Sequence, residues 1–252
     1  MVNHAITPSL RIRRILRPAV YCYPMRQEQL KTGEMAMDHQ EQIPRKYPTK
    51  EEMLNRVARY EDLKGFDGGL ADSNMPSAMR YLFNVIGFQP PATEDSGVGS
   101  PVGAQAARMS SIKISEGFNL GYCEALPGKG PMMHNHDTNE TFICMTGTWR
   151  ASWETENDKV EHVDLNPLDV ISFPPGAIRR FENVTDGPSD RYSILMFIIS
   201  GNAPSAEFTR ETLVEIDGEG LLADNPADSG NVDWVSPHVN PKEFRPTYLL
   251  SA

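Results

Sequence analysis

The sequence has only three cysteines in 252 residues, Cys22, Cys123 and Cys144, widely spaced and without a CxxC pair. That excludes a disulfide framework and a thiolate zinc site, and it fits a reducing cytoplasm. Long apolar runs are also missing. The longest clean one, 194–199, is far short of a bilayer span, so a soluble protein with no membrane partner is predicted. Basic residues are scarce in the body of the chain: residues 1–50 carry nine Lys and Arg against four Asp and Glu, yet the net charge of the whole is −10. An acidic body repels phosphate backbones, and no basic stripe or helix-turn-helix segment is found after residue 50. Nucleic acid is therefore excluded as a partner.

The basic stretch Arg11 to Arg17 resembles the start of a signal peptide, but Arg17, Pro18 and Pro24 interrupt the residues after it. No sustained apolar segment or small-residue cleavage site remains. Met35 and Met37 stand just before a more ordinary protein beginning, so a start assigned too far upstream accounts for the leader equally well. Residues 1–47 read as an irregular or disordered leader, and residues 48–108 as a helical extension and linker. In that extension Thr49 is placed as an N-cap, with Glu51 and Glu52 in the first turn and Met53, Val57, Tyr60 and Leu63 at helical spacing, which predicts a helix over 50–64. A second apolar segment, 78–88, is expected to pack on the rest of the domain or on a partner subunit. Residues 89–108 have linker composition.

From 109 to 200 the texture changes. Short alternating or apolar runs at 111–115, 118–126, 141–145, 148–153, 160–165, 170–173, 178–181 and 192–199 are separated by breakers such as Gly147, Asn166-Pro167 and Pro174-Pro175-Gly176. This is the pattern of an all-β sandwich or barrel. The tail, 201–252, reads as loops with at most one short strand wrapping the barrel. No repeat of 20–50 residues is visible.

The chemistry concentrates between Gly128 and Gly147. On a strand, His134 and His136 project to one face, and Glu140 returns after the short 137–139 turn. Two imidazoles and a carboxylate on one side of a metal ion leave open positions on the other, the arrangement suited to non-haem Fe(II). Two surface histidines beside an acidic turn would give the same letters. The spacing, however, matches G(x)5HxH(x)3E(x)6G at all five fixed positions, and in this the chain resembles the cupin superfamily over about 90 residues. A second motif, G(x)5PxG(x)2H(x)3N, is met by Pro174, Gly176 and Asn183 but departs twice: Leu168 stands where Gly is usual, and Arg179 where the last histidine ligand would be.

The resemblance implies a double-stranded β-helix, a jelly-roll barrel holding one divalent metal (Fe2+ first, with Mn2+, Ni2+ or Zn2+ as alternatives), and a homodimer. Arginine stays protonated and offers only donors, so the fourth ligand is missing. Three roles for Arg179 compete: a catalytic clamp on an anionic substrate, an ion pair with Glu140 that removes the metal, or a solvated charge like Arg180. His162 is a candidate replacement ligand. Strand parity places Phe142 and Cys144 with Glu140, and Phe181 with Arg179, as a substrate-binding floor or as plain core. Tyr122 could offer a phenol to the same pocket. Trp149 and Trp153 share a strand face and read as packing. The function expected is a metal-dependent enzyme on a small polar or anionic molecule, dioxygenase-like first. A cupin isomerase, lyase or hydrolase fits the same residues, as does a metal-free ligand-binding or sensor barrel.

Overall fold

Ten strands account for most of the regular structure in the computed structural model, which describes residues 43–88, 100–157 and 159–221. The chain divides into two units, Met1–Tyr47 and Pro48–Ala252. Of the first unit only 43–47 are described, an exposed irregular stretch, so the expected leader lies almost wholly outside the described residues, as do residues 89–99 and the end of the tail from 222.

In the second unit, strands β2 (Phe118–Ala125), β3 (His134–His136), β4 (Glu140–Cys144), β5 (Trp149–Glu154), β6 (Val160–Leu165), β7 (Val170–Phe173), β8 (Arg179–Asn183) and β9 (Ser193–Ser200) form two antiparallel sheets, ordered β2-β9-β4-β7 and β3-β8-β5-β6. The pairs are nested: the second strand lies beside the ninth, the third beside the eighth, the fourth beside the seventh and the fifth beside the sixth. One long hairpin rolled over on itself gives this order, which is that of a jelly roll. Strand β1 (Tyr81–Ile86) extends the first sheet beside β2, and β10 (Ala206–Phe208) extends the second beside β3.

Alternation along the strands fills the space between the sheets. Cys123, Phe142, Cys144, Trp149, Ala151, Leu165, Phe173, Phe181, Leu195, Phe197 and Ile199 are all buried in one cluster. Where the chain turns, Gly128, Gly147 and Gly176 adopt left-handed backbone with φ of 72–77°, which is glycine's territory. A Cβ on Gly147 would in addition lie 2.2 Å from both Ser193 Oγ and Thr185 Oγ1.

The flanking segments depart from the sequence-based expectations. Helix α1 spans only Lys50–Leu54: Thr49 caps it as foreseen, in a capping box with Glu52, which the sequence reading did not include, and Met53, Leu54 and Val57 stay exposed. Without a buried face a short helix has little to sustain it, and after Leu54 the chain turns into a 3-10 turn at Tyr60–Asp62. The 78–88 segment packs on the barrel as strand β1. Residues 111–115 form no strand; only Ile112 bridges to Ile86. The Ser110 hydroxyl donates to the Ile112 carbonyl at 2.9 Å, a local bond that competes with a ladder. The described part of the expected linker holds helix α2 (Ala104–Ala107), and Val102, Ala106 and Ala107 are buried. The tail is more ordered than loops: after β10, Thr209 caps helix α3 (Arg210–Gly218), whose Ile216 packs with Met75, Ala78 and Met132. Among the described residues no helix is long and apolar enough to cross a membrane.

Candidate metal centre

Strand β3 carries His134 and His136 two residues apart, so both rings leave the same face of the second sheet. Glu140 opens β4 in the facing sheet, after a loop whose side chains tie it to three elements. Asp137 Oδ1 accepts the Ser205 N–H, the Thr138 hydroxyl donates to the Ser200 carbonyl, and Asn139 Nδ2 donates to the Phe173 carbonyl. The ligating atoms of His134, His136 and Glu140 lie within 4.8 Å of one another, and all three residues are buried. The two rings are edge to face, with centroids 5.2 Å apart.

Each imidazole has one nitrogen committed to the backbone. His134 Nδ1 lies 2.7 Å from the Met132 carbonyl, and His136 Nδ1 lies 3.0 Å from the Ser205 carbonyl. A carbonyl only accepts, so each Nδ1 carries the hydrogen and each Nε2 is left with its lone pair. Burial, reinforced by His136 and Arg179, pushes His134 down to about 3; burial, then Arg179, does the same for His136. Both rings are neutral at pH 7, the form that binds metals. This donor set therefore fits a divalent ion, and the backbone carbonyls set the tautomer it needs.

Arg179, the first residue of β8, is directly paired with His134 across the sheet and wholly buried. Its Nη2 and Nε donate to Glu140 Oε2 at 2.8 and 3.1 Å, and its Nη1 donates to the Ala177 carbonyl at 2.9 Å. The solvated role for Arg179 is thereby overturned: strand parity turns it inward and its neighbour Arg180 outward, where Arg180 pairs with Glu182. The same Oε2 lies 3.4 Å from His136 Nε2. With a neutral ring, that contact is no ion pair.

Phe142 and Phe181 lie beneath the charged layer with ring centroids 4.7 Å apart, and Phe181 is 6.4 Å from His134. Cys144 is also interior, but two residues beyond Phe142 on β4 it sits at the far end of the barrel, its thiol directed to the Thr146 and Gly147 carbonyls. Burial, with Asp169 nearby, pushes that thiol up to about 12, so it is no thiolate nucleophile.

Tyr122 corrects the parity expected of it. On β2 the interior residue is Cys123, and Tyr122 faces out beneath the N-terminal segment, edge-on to Tyr60 at 5.8 Å. His162 is exposed on β6 and is not among the grouped ligands, so it replaces nothing. Trp149 and Trp153 pack in the barrel interior, Trp149 with its Nε1 donating to the Thr146 carbonyl. Sequence reasoning missed Asp137, Ser205 and Phe208, the last 6.1 Å from His134 on β10. Two of these lie far beyond the motif, Ser205 being 69 residues from His136, and a carbonyl acceptor leaves no mark in the residue code.

No family model and no curated protein sequence matches the chain. Solved structures similar to it include an oxalate oxidase in complex with the substrate analogue glycolate (17% identity, TM-score 0.35, covering 40% of this chain and 51% of that one). Others are peruvianin-I, a cysteine peptidase from Thevetia peruviana latex (16%, TM-score 0.35, covering 41% and 62%), and the CENP-C cupin domain of Drosophila melanogaster (20%, TM-score 0.29, covering 33% and 68%). The chain spans 46–51% of the oxalate oxidase structures it resembles. The fold is read from the chain itself: with eight strands in jelly-roll order, three motif glycines in left-handed turns, and His134, His136 and Glu140 gathered in the barrel, this chain is a cupin in its fold.

Proposed function

We propose that the barrel holds one divalent metal ion on His134, His136 and Glu140 and acts on a small polar or anionic molecule, with dioxygenase-type chemistry on Fe(II) the favoured class. The observation that carries this reading is the commitment of both Nδ1 hydrogens to backbone carbonyls, which leaves two Nε2 lone pairs within reach of one carboxylate. Both histidines are thereby fixed in the ligating tautomer. When bound, the ion would supply Lewis acidity and, as iron, a site for dioxygen.

The remaining work falls to the chain. The histidines are neutral and the charges of Glu140 and Arg179 cancel, so a divalent ion brings the buried site to a net +2. Charge that deep has to be matched, which favours a molecule bringing negative charge, such as a carboxylate or an enolate. Arg179 has the planar fork of donors to orient it, and Phe142 with Phe181 excludes water beneath. Elemental analysis of protein purified without chelator tests the reading. Stoichiometric metal is expected in the parent, and loss of it in the His134→Ala/His136→Ala variant with the barrel still folded. Full occupancy in that variant would sink the proposal.

One observation favours a second reading, a ligand-binding barrel without metal. Arg179 holds the very oxygen, Oε2, that faces His136 Nε2, so guanidinium and metal compete for it. On this reading the parent binds no iron, manganese, nickel or zinc, and Arg179→His creates metal binding in a previously empty barrel.

A further inference from the structure

The C-terminal arm reaches the candidate centre at two residues, Ser205, whose carbonyl accepts from His136 Nδ1, and Phe208, whose ring lies 6.1 Å from that of His134. Strand β10 pairs with β3 over only three residues, Ala206 with His136, Glu207 with Asn135 and Phe208 with His134. So short a ladder is weak by itself. Just before it, residue Ser205 is clasped on both sides: its N–H donates to Asp137 Oδ1 at 2.8 Å, and its carbonyl accepts from His136 Nδ1 at 3.0 Å and from the Asp137 N–H at 3.4 Å.

We propose that Asp137 is a positioning residue for His136: by holding the Ser205 N–H it sets the Ser205 carbonyl on Nδ1 and so keeps the imidazole hydrogen there, leaving the Nε2 lone pair towards Glu140. Asp137 itself is exposed, so its carboxylate contributes no packing that would explain its place. The Met132 carbonyl, which does the same for His134, lies two residues away in the same segment, and there too a carboxylate holds the N–H of the residue, Asp72 Oδ2 accepting it at 3.0 Å. His136 instead depends on a carbonyl 69 residues distant, and Asp137 is the side chain that brings it in. The metal-binding part of the test rests on the function proposed above; the tautomer part does not.

The experiment uses the full chain with 15N-labelled histidine, read by long-range 1H–15N correlation at pH 7.5 without metal, and then titrated with Mn2+ alone. In the parent, His136 should carry its hydrogen on Nδ1. In Asp137→Ala the population should move towards Nε2–H, the tautomer favoured in water, and Mn2+ affinity should fall about tenfold, the lower end for lost outer partners of a metal ligand. Asp137→Asn keeps an acceptor oxygen and should restore both. A tautomer shift with restoration in a protein that never binds Mn2+ upholds the role of Asp137 and removes the metal. An Nε2–H tautomer in the parent, or the parent tautomer retained in Asp137→Ala, overturns the proposal.

Discussion

Strands β4 and β8 face each other across the barrel and carry the same sequence of environments, charge, then phenylalanine, then a small polar group, but their two ends are finished differently. At one end Glu140 and Arg179 bond to each other beside two neutral imidazoles. At the other, Asn183 Nδ2 donates to the Ala125 carbonyl, its Oδ1 accepts from the Thr185 N–H, and its backbone carbonyl accepts from Gly128. Between them lies the Phe142–Phe181 layer. The closed end thus meets buried polar groups with backbone and neutral partners, the ordinary way to satisfy them. The ligand end gathers charge and lone pairs in the same dry interior, which costs stability unless something is gained there. The difference singles out the end that carries the candidate metal ligands.

Acid should break the comparison most strongly. Both imidazoles are held near 3 in the folded chain against an ordinary 6.5, so between these values the unfolded state binds more protons. Stability is then complete above about pH 6.5 and is lost as pH falls towards 3. Two such groups give a slope of up to about 2.7 kcal/mol per pH unit. Urea unfolding of chelator-treated protein at pH 7, 6, 5 and 4 measures it; His136→Gln should roughly halve the slope, and an unchanged slope would mean that the rings are not buried as neutral groups.

Removing one partner of the ion pair should come next. Glu140→Leu leaves a buried guanidinium unmatched and should cost about 3–5 kcal/mol; adding Arg179→Met should recover most of that. At the closed end Asn183→Ala should cost less, about 1–3 kcal/mol for buried groups left unsatisfied, and should leave metal content unchanged. Equal costs at the two ends in urea unfolding would erase the distinction between them.

The parts legible in the sequence are those set by period and spacing. Alternation placed Phe142 and Cys144 on the face of Glu140 and Phe181 on that of Arg179, and the motif spacing brought His134, His136 and Glu140 together. Parity failed at Tyr122, because β2 is covered on both faces, outward by the Tyr60 and Phe83 cluster, and hydrophobicity there does not say which face is inside. The helix expected over 50–64 stops at Leu54 because Met53, Leu54 and Val57 find no partner surface, while Tyr60 and Leu63 reach the outer face of β2 and β1 from a 3-10 turn instead. Arg179 was ambiguous for a different reason: an inward arginine is read as buried only once its carboxylate is known to face it, and that depends on two strands in opposite sheets. Ser205 and its carbonyl were beyond any local pattern.

The smallest effect concerns Leu168, at the closed end, where the second motif expects glycine. Leu168 keeps the glycine conformation, with φ of 77°, and is 59% exposed. Its N–H donates to the Cys144 carbonyl at 2.8 Å, while the Cys144 N–H donates to Asp169, so the turn is fixed by β4 and the backbone cannot relax into an ordinary region. A side chain in left-handed backbone costs roughly 1–2 kcal/mol. Glycine removes that strain but gives the unfolded chain more freedom, which takes back about 0.4–1 kcal/mol, and little buried surface is lost with so exposed a leucine. Leu168→Gly should therefore stabilise the protein by about 0.5–1 kcal/mol, seen as a higher urea midpoint at unchanged slope, with metal content as in the parent. A lower midpoint would show that the leucine side chain contributes packing that outweighs the strain, and that the closed end, too, carries more than a turn.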